Sequence, residues 1–312
     1  MGVKRFFIKE GRLRPTWRVV CYVTAYLLGS LAIQIPIAVF LVMMVQLGMV
    51  DENTLMRLES SLPLLIVLGV ANIALTLPLT YLFRRFLDGA TLRDLGFRRK
   101  AGWLKEIRAG LVLGSLLISL ILVLEWGVGW LQVSGFAWQV QSLTLILVNL
   151  LGYFIVMTLV AFSEELSFRG YILQNLDAEW GALVGVIVSS VLFGLFHGLN
   201  PNVSWLGLFN ILLAGVLLAG CYLATRELWL PMAFHFSWNF VQGPLFSFPV
   251  SGLVTSGLLL TETRGNPLIT GGAFGPEGGL VGTVAMSLGL VVLLLWQRRP
   301  KPEGTEQKDG TR

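Results

Sequence analysis

Charged residues are scarce in this chain of 312 residues: they make up 13% of the sequence, whereas 55% of the residues are hydrophobic and the mean hydropathy is +0.74. Soluble domains carry roughly 25% charged residues, so this composition excludes an ordinary cytosolic protein. The net charge of +5 therefore concerns membrane orientation and lipid contact, and it gives no reason to expect a nucleic acid partner.

Cysteine, histidine and aspartate are also rare, and their positions in the sequence exclude several kinds of catalytic or structural site. The two cysteines, Cys21 and Cys221, lie in apolar surroundings and indicate packing rather than a disulfide framework. All five aspartates lie outside the apolar segments, which excludes an intramembrane aspartyl dyad, and no Gly-x-Ser-Gly sequence of the rhomboid type occurs. The two histidines, His197 and His235, are 38 residues apart, which excludes a His-Glu-x-x-His zinc helix.

Long apolar segments are what the sequence does contain. A bilayer core of roughly 30 Å requires about 20 apolar residues in a helix. Eight segments qualify as spans, at about residues 19–48, 62–83, 109–131, 142–165, 182–199, 203–224, 229–249 and 278–296. We therefore predict an all-α fold, a polytopic membrane helix bundle of about eight transmembrane helices. The first span is too long for a secretory signal core, and Pro36 is a point at which it could kink.

The basic residues predict an orientation. Of the 23 lysines and arginines, 19 fall in residues 1–18, 84–108 and 298–312. The positive-inside rule places these segments in the cytoplasm, and an even number of spans puts both termini there. We assign residues 1–299 to a transmembrane domain, the Gly- and Pro-rich residues 264–279 to an external loop, and the polar residues 300–312 to a disordered cytoplasmic tail.

A few polar side chains interrupt the later spans. Ionisable groups inside a membrane are costly, at about 2.5–3.5 kcal/mol for a charge near the centre of a helix, so they are functional candidates by default. Here they form three groups in consecutive spans: Glu164, Glu165 and Arg169; His197; and His235 with Asn239.

Helical spacing indicates how these groups could act. Glu165 and Arg169 are four residues apart and can pair, which leaves Glu164 about 100° away on the helix and free for another role. His235 and Asn239 are also four apart and could offer two donors to a developing oxyanion.

The turn between spans four and five predicts that Glu164 and His197 also lie close together. Glu164 lies 13 residues before Asp177, and His197 lies 16 residues after Gly181, so they stand roughly 20 and 24 Å from the turn. An antiparallel hairpin would bring them to one level, as an acid/base pair around a water. His235, however, lies only about 9 Å from the start of its helix. The two histidines can meet only if this hairpin projects beyond the membrane surface or if a helix is broken.

Each of these features has a structural alternative. The paired glutamates could be a solvated helix end, the Glu165–Arg169 pair a surface salt bridge, and His197 a packing residue. His235 with Asn239 could form interhelical hydrogen bonds, worth about 0.6 kcal/mol on average in membranes. Glu125 and Asn210 are assigned to such structural roles or to an interface. A functional site is favoured because every histidine and the densest carboxylate cluster fall in consecutive spans.

The three groups together resemble the motifs of a known family. Glu164-Glu165-x-x-x-Arg169, Phe193-x-x-x-His197 and His235-x-x-x-Asn239 are similar, in order and approximate spacing, to those of the CPBP family, the CAAX prenyl endopeptidase and bacteriocin-processing (Abi) intramembrane proteases. The resemblance covers about residues 140–245. It implies a helix bundle around a polar intramembrane cavity and an endopeptidase that hydrolyses peptide bonds.

The resemblance also implies roles for the motif residues. Glu164 would be the general base that activates water, and His197 would help to hold that water. His235 and Asn239 would stabilise the oxyanion, and Glu165 and Arg169 would support the geometry. It allows several substrates at the bilayer: prenylated or membrane-anchored C-terminal peptides, leader peptides and membrane-protein segments.

Metal dependence and catalysis itself stay open on sequence grounds. Glu164, His197 and His235 could form a three-ligand zinc site with water as the fourth ligand. The resemblance favours a mechanism without a metal cofactor, as does Asn239, because a carboxamide is a poor zinc ligand. Two other classes of function compete: a non-catalytic bacteriocin-immunity or scaffold protein, and a proton-coupled transporter that uses Glu164 and His197 as relays.

Overall fold

A computed structural model describes residues 3–51, 54 and 61–298 of the chain, so the predicted tail at 300–312 lies outside the described residues. The described part is a helix bundle, which confirms the predicted fold class. Its α-helices are α1 (Val3–Phe7), α2 (Pro15–Gln46), α3 (Leu62–Phe83), α4 (Trp103–Gly127), α5 (Leu143–Glu165), α6 (Leu173–Trp180), α7 (Ala182–Phe196), α8 (Trp205–Thr225), α9 (Trp229–Phe240), α10 (Pro267–Thr270) and α11 (Leu280–Gln297).

Six helical segments within the described residues are long and apolar enough to cross a membrane: Pro15–Gln46, Leu62–Asp88, Trp103–Gly127, Leu143–Trp180, Trp205–Thr225 and Leu280–Gln297. The protein is thus an integral, multi-pass membrane protein. The predicted spans at 182–199 and 229–249 are shorter as helices, because α7 has 15 residues and α9 has 12. The first span continues through Pro36 as one helix.

Shorter elements join these helices. Wider π-helical turns occur at Arg84–Asp88, Leu166–Ile172 and Val241–Leu245, and 3₁₀ turns at Leu92–Leu95, Ala137–Gln139, Gly272–Phe274 and Pro276–Gly278. Four strands, which the sequence did not predict, form two antiparallel pairs: β1 (Ile8–Lys9) with β2 (Arg12–Leu13), and β3 (Leu131–Phe136) with β4 (Leu259–Thr263). The second pair ties the chain after α4 to the loop after α9.

Helix α9 packs against α4 with the backbones in close approach. An added Cβ at Gly110 would meet the carbonyl oxygen of Leu230, and one at Gly114 would meet Ser237 and the carbonyl oxygen of Phe234. Only glycine leaves room for this contact, because any side chain on α4 at these positions would occupy the space of the α9 backbone. The two helices run parallel, since later residues of α4 meet later residues of α9.

The core lies around α9 and the hairpin formed by α5, α6 and α7. Buried side chains from seven α-helices and from the turns between them meet there, including those of Leu117, Phe168, Phe193, Leu217 and Trp238. Large apolar side chains on the outer faces of the bundle are instead exposed, as the 63% exposure of Leu28 illustrates. An apolar exterior is the surface that hydrocarbon solvates, in agreement with the membrane location.

Candidate active site

Three motif residues from three helices meet in the structure. Oε2 of Glu164, at the end of α5, lies 3.8 Å from Nε2 of His197 and 3.8 Å from Nε2 of His235. Oε2 has no hydrogen-bond partner among the described residues although it is shielded from solvent, while the Glu164 side chain as a whole is 18% exposed. A carboxylate oxygen is therefore held between two imidazole nitrogens at a spacing that a bridging water molecule would fill.

The depth difference between the histidines is resolved by the hairpin. An added Cβ at Gly170 would lie 3.4 Å from Leu228, the residue before α9, so α9 begins level with Gly170. Gly170 precedes the Gly181 turn by 11 residues, which corresponds to about 16 Å of helix. The hairpin thus extends well past the start of α9.

His197 has its protonation pattern set by the backbone. It directly follows α7, and its Nδ1 lies 2.8 Å from the carbonyl oxygen of Phe193. A carbonyl oxygen only accepts hydrogen bonds, so Nδ1 carries the hydrogen and donates it. In the neutral imidazole, Nε2 then has a free lone pair, and this is the nitrogen that faces Glu164.

His235 is oriented by the second glutamate. Its Nδ1 lies 2.9 Å from Oε1 of Glu165, and the same oxygen accepts a hydrogen bond of 3.0 Å from Arg169. Because Nδ1 donates to the carboxylate, Nε2 of His235 can donate to another group only when the imidazole is protonated. Glu165 thus sets both the direction of the ring and the protonation state in which it can bind an oxyanion.

Arg169 is fully buried, together with Glu165. Its guanidinium also donates to the carbonyl oxygen of Gly215 at 3.1 Å and lies 4.3 Å from the centre of the Phe193 ring. The pair is an internal ion pair and not the surface salt bridge of the structural alternative. The π-helical turn Leu166–Ile172, which contains Arg169, could not be predicted from the sequence, because no proline marks it.

Asn239 lies one turn beyond His235 on α9 and is 7% exposed. Its side chain has no hydrogen bond to any of the residues that the structure describes. Its carboxamide is therefore free to bind a ligand. Asn210, which the sequence assigned to a structural role, donates to the carbonyl oxygens of Glu277 and Gly279. Glu125 is buried with both carboxylate oxygens unpartnered.

Two sets of polar residues near the site were missed at the sequence level. Asn72 of α3 accepts from Tyr26 at 3.1 Å and donates at 3.1 Å to Ser163, the neighbour of Glu164. Tyr22 contacts Thr80 and Ser167 in a similar way. An asparagine in the middle of the second predicted span was the one available signal, because intramembrane carboxamides usually bridge helices.

A zinc ion would require donor atoms of Glu164, His197 and His235 about 2.0–2.2 Å from one point. Within the described residues, no group of three or more His, Cys, Asp or Glu side chains is arranged to hold a metal ion.

Comparison with known families agrees with this geometry. Residues 146–241 match the family model described as type II CAAX prenyl endopeptidase Rce1-like. Over these residues the chain is similar to the Rce1-like family. The matched segment contains Glu164, Glu165, Arg169, His197, His235 and Asn239 and lies inside the interval 140–245 predicted from the motifs, so the resemblance to CAAX-type proteases is confirmed. No curated protein and no solved structure shows a significant match to the chain.

The match to the Rce1-like family supports a protease in a membrane setting, with a peptide or protein as its substrate. The match covers about a third of the chain. Helices α2, α3, α4 and α11 lie outside it.

Proposed function

We propose that the chain is an intramembrane endopeptidase in which Glu164 activates a water molecule for attack on a peptide bond. The single observation that carries the proposal is the unpartnered Oε2 of Glu164, with imidazole nitrogens of two histidines 3.8 Å away. A buried carboxylate without a partner is costly, and such groups are retained where chemistry needs them.

The first step is deprotonation of the water. In this proposal the water donates one hydrogen to Oε2 of Glu164 and the other to Nε2 of His197, whose lone pair is available because Nδ1 donates to Phe193. Glu164 takes up the first proton as the water oxygen forms a bond to the carbonyl carbon of the scissile peptide. The carbonyl π electrons move to its oxygen, which becomes the oxyanion of a tetrahedral intermediate.

Two donors on α9 would stabilise that oxyanion. Protonated His235 offers Nε2–H, and Asn239 offers its carboxamide N–H, from positions one helical turn apart. The intermediate then collapses, the C–N bond breaks, and protonated Glu164 returns its proton to the departing amine. The immediate products are a carboxylic acid and an amine, the acid then passes its proton to the amine to give a carboxylate and an ammonium ion, and Glu164 is again a carboxylate for the next cycle.

The substrate class follows from the location of the site and from the family. An active site among helices that are apolar on the outside accepts peptides that already lie at the bilayer, and the matching family is described as acting on prenylated CAAX sequences. We therefore propose a membrane-associated peptide, with a farnesylated C-terminal CAAX sequence as the first probe.

The decisive experiment compares purified wild-type protein with Glu164→Gln, Glu164→Ala and His197→Ala in nanodiscs, with an internally quenched farnesylated CAAX peptide as substrate. We expect cleavage to fall at least about a hundredfold in each variant, because each removes a group needed for proton transfer. Glu262→Gln serves as the matched control, since Glu262 is exposed and lies outside the matched segment. Wild-type turnover by Glu164→Gln would refute the proposal and favour a non-catalytic binding role for the site.

A further inference from the structure

A fourth buried carboxylate lies outside the motifs and outside the matched family segment. Glu277 belongs to the loop just before α11, in the segment that the sequence assigned to an external loop, and it is 4% exposed. Its Oε1 accepts a hydrogen bond from Nε1 of Trp238 at 3.2 Å. Its Oε2 accepts from Nε2 of Gln242 at 3.1 Å and from both the backbone N–H and the hydroxyl of Ser251, at 2.6 and 3.0 Å.

One arm of this network leads to the proposed oxyanion donors. Trp238 directly precedes Asn239, and Gln242 follows it by three residues. Glu277 therefore binds the helical turn on both sides of the Asn239 carboxamide. Gln242 belongs to the π-helical turn that follows α9, and it also donates to the carbonyl oxygen of Pro249 at 2.6 Å. The end of α9 is therefore tied to the loop before α11 as well as to α4, where Ser237 donates to the carbonyl oxygen of Gly110.

The other arm leads to the first histidine. The carbonyl oxygen of Ser251 accepts a hydrogen bond from Asn200 at 3.0 Å, and the backbone N–H of Asn200 donates to the carbonyl oxygen of His197 at 3.1 Å. Ser251 has a φ of +46°, a left-handed conformation that is unfavourable for a residue with a side chain. Its two hydrogen bonds to Glu277 offset that cost and hold the turn in place.

The backbone of Glu277 is itself anchored in the bundle. Asn210 of α8 donates to the carbonyl oxygen of Glu277 at 2.9 Å and to that of Gly279 at 2.8 Å, while Thr283 of α11 donates to Asn210 at 2.7 Å. The carboxylate thus projects from an anchored point between α8 and α11 toward two parts of the proposed site, the end of α9 and the turn after α7.

We infer that Glu277 is a positioning residue that holds His197 and the Asn239 turn in register with each other. This inference rests on the proposed function for its catalytic consequence. All the side-chain partners of Glu277 present donors, so only a carboxylate can satisfy them together, and a carboxamide would turn an N–H₂ group toward at least one donor. Glu277→Gln therefore tests the role with almost no change in side-chain volume.

The kinetic test is a double-mutant cycle with the farnesylated CAAX peptide in nanodiscs. For Glu277→Gln we expect a fall in kcat of about tenfold to a hundredfold with KM changed less than about twofold, because a displaced donor affects the transition state more than substrate binding. In the Asn239→Ala background the same change should cost at most about threefold, since the donor it positions is already gone. If Glu277→Gln only reduced the amount of folded protein, activity would fall by the same factor in both backgrounds. Equal losses in the two backgrounds would therefore overturn the inference.

A second readout requires no substrate. Hydrogen exchange followed by mass spectrometry should show faster exchange for peptides covering 238–245 and 197–204 in Glu277→Gln than in wild type. Exchange in α8 should be unchanged. Glu262→Gln and Glu125→Gln are the controls, one at an exposed carboxylate and one at a buried carboxylate without partners. Unchanged exchange in both segments would refute the positioning role even if Glu164→Gln had abolished cleavage. Faster exchange combined with an active Glu164→Gln would refute the proposed function alone.

Discussion

Nδ1 of His235 and Oε1 of Glu165, 70 residues apart in sequence, lie 2.9 Å from each other in the interior of the bundle. This contact joins the two halves of the proposed site, because Glu165 adjoins Glu164 and His235 shares α9 with Asn239. Glu165 is shared with Arg169, so an ion pair without exposure to solvent holds the ring of His235. Substitutions at Glu165 and Arg169 should therefore have one effect on the stability of the protein and a distinct effect on catalysis.

Arg169→Met should destabilise the protein by about 3–5 kcal/mol, because Glu165 would keep a buried charge without its cationic partner. Thermal unfolding in detergent measures the effect. Arg264→Met is the matched control, since the Arg264–Glu262 pair is exposed on both sides and should contribute less than about 1 kcal/mol. Equal losses in the two variants would show that the buried pair has no special role.

Replacing both partners should separate folding from activity. The double variant Glu165→Leu, Arg169→Met removes the buried charges together, so we expect most of the lost stability to return. His235 would still lack its hydrogen-bond partner, and cleavage of the farnesylated peptide should stay at least about tenfold below wild type. A double variant with wild-type turnover would contradict the role of Glu165 in orienting His235.

Gly114→Ala should lower both thermal stability and activity, because the added methyl group would meet Ser237 and the backbone of α9. Overpacking of this kind costs about 1–3 kcal/mol, and here it would displace the helix that contains His235 and Asn239. Gly127→Ala is the control on the same helix, since an added Cβ at Gly127 meets nothing within 4 Å. If Gly114→Ala behaved like Gly127→Ala, the close approach of α4 and α9 would not constrain the site.

Metal chelators should leave cleavage unchanged. The proposed mechanism needs only Glu164 as a general base, a water nucleophile and two oxyanion donors. Activity is measured after extended incubation of purified protein with 1,10-phenanthroline and dialysis. Loss of activity that is restored by zinc and by no other addition would establish a zinc enzyme instead.

The orientation of the chain remains a prediction with a direct test. In a Cys21→Ser background, a cysteine at Arg93 should react with an impermeant maleimide only from the cytoplasmic side, and a cysteine at Trp138 only from the opposite side. Both positions are exposed on the protein. The reason is the excess of basic residues at 84–108 over 132–141. The reverse labelling pattern would place the termini outside.

Much of the fold was predictable because its causes are local. Membrane insertion depends on runs of apolar residues, and the eight predicted segments correspond in position to α2, α3, α4, α5, α7, α8, α9 and α11 among the described residues. The spacing of Glu165 and Arg169 predicted a shared helix face for the same reason, since helical periodicity depends only on residues a turn apart. The lengths of α7 and α9 were less predictable, because apolar residues continue past the helix ends into the loops.

The sequence by itself determined that this is a membrane helix bundle and which residue types could perform hydrolysis. Only the tertiary structure decided which of them meet. The contacts that build the site join residues 26 or more positions apart. They include the hydrogen bond between Glu165 and His235 and those of Glu277 with Trp238 and Ser251. The extension of the hairpin past the start of α9 likewise depends on residues distant in sequence. Such contacts depend on how closely helices approach, which glycines at Gly110 and Gly114 permit and no local pattern encodes.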